Sequence, residues 1–156
     1  FNSYSKRNSG NDIKIYGNKD YGYLDKNCII PQNYDSVEKY KVFISFGYGA
    51  GDGFPHQIIN KPFIGEKHSC CTETYLQIGK FDDIETAKNV ISYIKTKFFR
   101  FLVMLKKNTQ NGTRGVYQFV PMQDFSKPWT DEELYNKYGL NETEISFIVR
   151  TIKPME

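Results

Sequence analysis

At 156 residues the chain has the length of a single domain. Hydrophobic residues make up 39% and aromatic ones 16%, with 12 Tyr and 12 Phe, so aromatic packing has to stand in for part of an aliphatic core. A net charge of +3 makes no case for nucleic acid by itself, and no apolar run approaches the roughly 18 residues of a membrane span.

The chain opens on FNSYSKRNSGND, without Met and without a signal peptide, and reads as a fragment of a longer polypeptide. Residues 1–12 are polar and are expected to be disordered; residues 13–156 are expected to form one domain. IKIYG (13–17) and YGYLD (21–25) are short strand candidates around a Gly-Asn turn. YKVFISF (40–46) is a stronger strand, β-branched and aromatic. Residues 47–69 hold five glycines and two prolines, which predicts a long loop with room for one brief strand. CTETYLQIG (71–79) alternates and predicts another strand.

The main helix is expected to start at Asp82, where Asp82-x-x-Glu85 has the form of a capping box. Apolar positions follow at Ile84, Ala87, Ile91, Ile94, Phe98, Phe101, Leu102 and Leu105. At 100° per residue they share a sector roughly 100° wide. The phase predicts one helix, or two nearly collinear ones, over about 83–107, about 36 Å long. GVYQFVP (115–121) predicts a strand ended by Pro121. QDFSKPW follows as an extended linker, stiffened by Pro128 and anchored by Trp129. Thr130-x-x-Glu133 opens a short helix closed by Gly139, and Asn141-x-x-Glu144 opens another. The order predicts an α+β fold: a small mixed or antiparallel sheet packed on one long amphipathic helix (about 83–107), with short C-terminal helices.

Charge is concentrated on that helix. Residues 86–107 carry six basic groups and no acidic one. On the wheel, Lys88, Lys95 and Lys106 flank the apolar stripe, and Lys97, Arg100 and Lys107 lie across from it. Phe99, Val103 and Met104 fall between or beside them, so the outer face also carries apolar groups. Either another element covers these or a partner does. Lys95, Lys97, Arg100, Lys106, Lys107 and Arg114 are the candidates for contact with an acidic backbone. The five acids of residues 131–144 could neutralise part of the face.

The glycine-rich loop lacks a P-loop's GxxxxGK[ST] and a GxGxxG opening a helix. Tyr48, Asp52, His56 and Gln57, with Thr72 and Thr74 beyond them, offer donors and acceptors suited to base edges. Cys28, Cys70 and Cys71 are odd in number, two are adjacent, and none has zinc-type spacing, which predicts free thiols in a reducing cytoplasm. Cys70 or Cys71 with His68 or His56 is a conceivable thiol–imidazole pair. No HExxH, no NPP-aromatic motif and no GxG-type cofactor loop after a buried strand occurs.

TETYL (72–76), TKFFRFL (96–102) and VPMQDFSKPWTDEELYNKYGL (120–140) resemble the C-terminal region of bacterial restriction-modification proteins. These are the adenine-specific DNA methyltransferases of the Eco57I-like group and their fused methyltransferase-endonuclease relatives. The resemblance covers residues 61–156, with YKVFIS (40–45) a weaker match. It implies a type II system in which catalysis, with S-adenosylmethionine and with Mg2+ if an endonuclease is fused, lies upstream. This chain would then be a target-recognition domain that binds double-stranded DNA and does not itself catalyse. Its partners would be DNA and the upstream methyltransferase domain. The rival expectation is a protein-interaction module that docks Phe99, Val103 and Met104 onto a catalytic domain or subunit.

Overall fold

The structure, a computed structural model, describes residues 10, 12–18, 20–28, 34–47, 53–107 and 114–156. The α+β fold is borne out, but among the described residues two three-stranded sheets stand in place of one. The first is mixed. Strand β1 (Ile13–Gly17) pairs antiparallel with β2 (Asp20–Leu24) and parallel with β5 (Ser69–Cys71). The second is antiparallel, with β3 (Tyr40–Ser45) central between β4 (Phe63–Gly65) and β6 (Tyr75–Phe81). As the middle strand, β3 is buried continuously from Lys41 to Ile44, whereas β1 alternates, with Ile13 and Ile15 inward. Gly65 is required because a Cβ there would overlap the Phe43 ring.

Aromatic rings join the sheets. Tyr16 of β1 lies 5.7 Å from Phe43 of β3 and 5.1 Å from Phe63 of β4, centroid to centroid. A lysine joins them too. Lys41 of β3 is fully buried, and its ammonium donates to Ser36 O (2.8 Å), Val37 O (3.2 Å) and Ser69 O (2.7 Å). It thereby ties the short helix α1 (Tyr34–Val37) and β5 to the second sheet. Burial pulls its pKa down to about 8.

The expected strand at 71–79 is interrupted. The chain leaves the first sheet at Cys71, turns over Thr72–Thr74 and enters the second at Tyr75. The Thr72 and Thr74 hydroxyls lie 2.8 Å apart, and Tyr75 N–H donates to Thr72 O.

The helical run is two helices, α2 (Ile84–Lys95) and α3 (Lys97–Lys106). Asp83, not Asp82, caps α2, accepting from Thr86 N–H at 2.8 Å; Asp82 pairs instead with Lys39. Thr96 separates the helices at φ −60°, ψ 151°. Its N–H closes α2 on Tyr93 O, and its hydroxyl opens α3 by accepting from Phe99 N–H at 3.1 Å. A non-helical residue resets the phase, so the wheel fails beyond it. Phe98, Phe99, Arg100 and Val103 are buried, Phe101 and Leu102 are half-buried, and Leu105 is exposed.

The strand expected at 115–121 is a one-turn 3-10 helix (Arg114–Tyr117) followed by irregular chain. Its alternating pattern suits a strand, but turns take up its backbone groups: Gln118 N–H donates to Gly115 O and Val120 N–H to Tyr117 O. Tyr117 packs on Phe99 at 6.0 Å, which supplies the cover Phe99 needs. Trp129 anchors the linker as expected. It is buried, and its indole N–H donates to Asp124 O at 2.7 Å. Helices α4 (Asp131–Tyr138) and α5 (Glu142–Thr151) open with both expected capping boxes, and Gly139 closes α4 at φ 64°. Among the described residues no helix is long and apolar enough to cross a membrane.

Candidate functional site

The six basic candidates divide into two groups of three. Arg100 is fully buried. Its guanidinium donates to Lys95 O (3.0 and 3.2 Å), Thr96 O (3.2 Å) and Gln57 O (3.4 Å). It therefore cannot reach a phosphate; its burial corrects the expectation drawn from the wheel. Lys97 is half-buried and donates to Val149 O of α5 at 3.0 Å. Lys107, also half-buried, donates to Ile58 O at 2.6 Å. These three hold neighbouring segments against α3.

The other three remain available. Lys95 is half-buried; Lys106 and Arg114 are exposed. None of them forms an ion pair with a carboxylate among the described residues. Lys106 Nζ lies 5.3 Å from the centroid of Phe119, itself half exposed. Lys88, by contrast, is paired with Glu85 at 2.6 Å.

Three of the five acids of the C-terminal segment are engaged at helix starts. Asp131 accepts from the N–H groups of Lys97 and Phe98. Glu133 and Glu144 complete their capping boxes, and Glu133 also pairs with Lys127 at 2.6 Å. These carboxylates sit on helix N-termini, where the dipole favours them.

Of the loop candidates, Tyr48 and Asp52 lie outside the described residues. His56 is held through its backbone, donating from N–H to Thr151 O (2.8 Å) and accepting from Lys153 N–H (3.0 Å). Gln57 Nε2 donates to Ile59 O at 3.1 Å. Thr72 N–H donates to Tyr16 O, and Thr74 O accepts from Phe46 N–H. His56 and Gln57 thus belong to the α3–α5 side, Thr72 and Thr74 to the turn between the sheets. The structure holds the two pairs on different elements.

The thiol–imidazole pairing has no support. Burial pushes the Cys70 and Cys71 thiols up to about 11, away from thiolate. His68 Nδ1 faces Glu38 Oε1 at 3.2 Å. Cys28 is exposed, and all three cysteines are free.

Two features were not foreseen. Phe119, beside Lys106, and Met122 are both exposed, and reading 115–121 as a strand hid the placement of Phe119. On α5, Phe147 and Val149 are exposed, with the Arg150 guanidinium 5.8 Å from the Phe147 ring centroid. The wheel's apolar outer face is largely gone: Phe99 and Val103 are core, and Met104 is half-buried. In comparisons with protein-family models, curated proteins and solved structures, nothing matches this chain.

Proposed function

We propose that this chain is a DNA-binding target-recognition domain of a cytoplasmic restriction-modification protein. Its parent would carry S-adenosylmethionine-dependent adenine methylation upstream, with Mg2+ chemistry if an endonuclease is fused. The wider setting is taken from the resemblance of residues 61–156. The observation that carries the binding itself is that Lys95, Lys106 and Arg114 form no ion pair among the described residues, while Asp131, Glu133 and Glu144 cap helices. Phe119 beside Lys106 adds an apolar surface on which a sugar or base could rest. Thr72 and Thr74, or His56 and Gln57, would read bases from the two ends of the 47–74 segment.

Fluorescence anisotropy with duplex DNA across a salt series tests this. Each neutralised phosphate contributes about −0.9 to the log–log slope, so three contacts predict a slope of about −3. No binding at low salt would overturn the proposal.

One observation favours a second reading. Phe147 and Val149 expose apolar surface on α5, as a face docking onto a catalytic domain would. If Phe147→Ser and Val149→Ser abolish association with the upstream domain while DNA binding is absent, docking is the better account.

A further inference from the structure

A cavity of about 420 Å3 lies between β6, the α2–α3 pair and the segment 114–125. That volume falls in the range of small-molecule sites. Its walls are apolar: Ile78 and Phe81 from β6, Val90 from α2, Phe99 from α3, and Val120 and Met122 from the returning segment. Arg114 is the one charged residue among the described residues that line it. Tyr117 lines it too, and the Tyr117 hydroxyl is buried without a hydrogen-bond partner. The orphaned hydroxyl costs free energy and has almost no accessible surface, so an acceptor in the cavity removes that cost once a small shift of the Tyr117 ring opens it. Burial pushes Tyr117 up to about 12, so it keeps its proton to donate. The nearby Tyr93 hydroxyl, by contrast, is already bonded to Pro121 O at 2.8 Å.

We infer that this cavity binds a small organic carboxylate, with its aromatic or aliphatic body among Phe81, Val90 and Phe99 and its oxygens on Arg114 and Tyr117. A guanidinium fork matches the two oxygens of a carboxylate. One cation also balances a monoanion; a phosphate dianion would keep a charge uncompensated beside apolar walls. This reading does not depend on DNA.

The test uses the full chain without DNA. Titration calorimetry compares naphthylacetate with naphthylacetamide, which has the same shape and no charge. Naphthylacetate is expected to bind one to one, about tenfold tighter than the amide. Arg114→Gln should bring it to the amide's level, and Tyr117→Phe should weaken it by several fold. Methyl NMR shifts should gather at Ile78, Val90 and Val120. Absence of saturable naphthylacetate binding, equal binding of acid and amide, or shifts confined to other residues would overturn the inference. Matching thermal melts show that the variants fold, and none of these three failures touches the DNA reading.

Discussion

The carboxylate of Asp131, the first residue of α4, accepts a hydrogen bond at 3.0 Å from the backbone N–H of Lys97, the first residue of α3. Its second oxygen accepts from Phe98 N–H at 2.8 Å, and the Thr96 hydroxyl takes Phe99 N–H. The opening N–H groups of α3, unsatisfied by their own helix, are thus closed partly from another helix. One side chain of α4 shares the capping of α3 with Thr96 and ties the starts of the two helices together.

Asp131→Ala is therefore expected to destabilise the fold by about 2 kcal/mol, at the upper end for a helix cap because two amides lose their acceptor. Asp131→Asn keeps one oxygen and should recover part of the loss. Urea unfolding measures both; an Ala variant within about 0.5 kcal/mol of the original chain would show that water replaces the carboxylate without penalty.

Arg100→Leu is expected to cost about 2–3 kcal/mol, because carbonyls at Lys95, Thr96 and Gln57 lose a charged donor in a buried place. Arg100→Lys should also lower the melting temperature, since an ammonium cannot reproduce the planar fork. Thermal unfolding of the two variants checks this. Unchanged melting of both would mean that the guanidinium contributes nothing there.

Single substitutions Lys95→Gln, Lys106→Gln and Arg114→Gln should each weaken DNA binding about equally for all sequences. Each should reduce the salt slope by about 0.9. Under conditions where it is folded, Arg100→Lys should leave the slope unchanged. Anisotropy titrations at several salt concentrations read this directly, and a slope that falls for Arg100→Lys but not for Lys106→Gln would reverse the assignment.

The thiols predict a pH dependence. Folded Cys70 and Cys71 titrate near 11, against a reference of 9.0. Above pH 9 the unfolded chain loses thiol protons that the folded chain retains, so rising pH favours unfolding. Their contribution is intact below about pH 9 and is lost as pH rises through about 11. Lys41 works the other way, since its folded value of about 8 lies below its reference of 10.5. Subtracting the stability profile of a Cys70→Ala, Cys71→Ala chain isolates the thiols; a difference profile that is flat over this window would contradict the prediction. A thiol reagent at mildly alkaline pH should modify exposed Cys28 first.

Features written in adjacent residues were legible in the sequence. The boxes at Thr130 and Asn141, the closing Gly139 and strand β3 all stand where local chemistry puts them. The cap of α2 was displaced by one position because Asp82 and Asp83 both qualify and only the pairing with Lys39 separates them. The larger error came from Thr96. A threonine inside an apolar run is a good helix cap, and that signal was present; the unbroken apolar phase outweighed it. Once the phase resets, Arg100 turns inward, and no local pattern shows that three carbonyls await it. Residues 115–121 failed for a different reason: a strand needs a partner, and Val116 and Tyr117 found a helix instead.

The buried amine of Lys41 also has a consequence for alignment. Apolar side chains tolerate sliding because their attraction has no direction. The ammonium does not, since the carbonyls of Ser36, Val37 and Ser69 converge on it. A slip of β3 that brought Val42 or Phe43 into this place would take the ammonium away from all three carbonyls. Lys41 thus serves as an index mark between the two sheets: it selects one registration of the chain and rejects its neighbours.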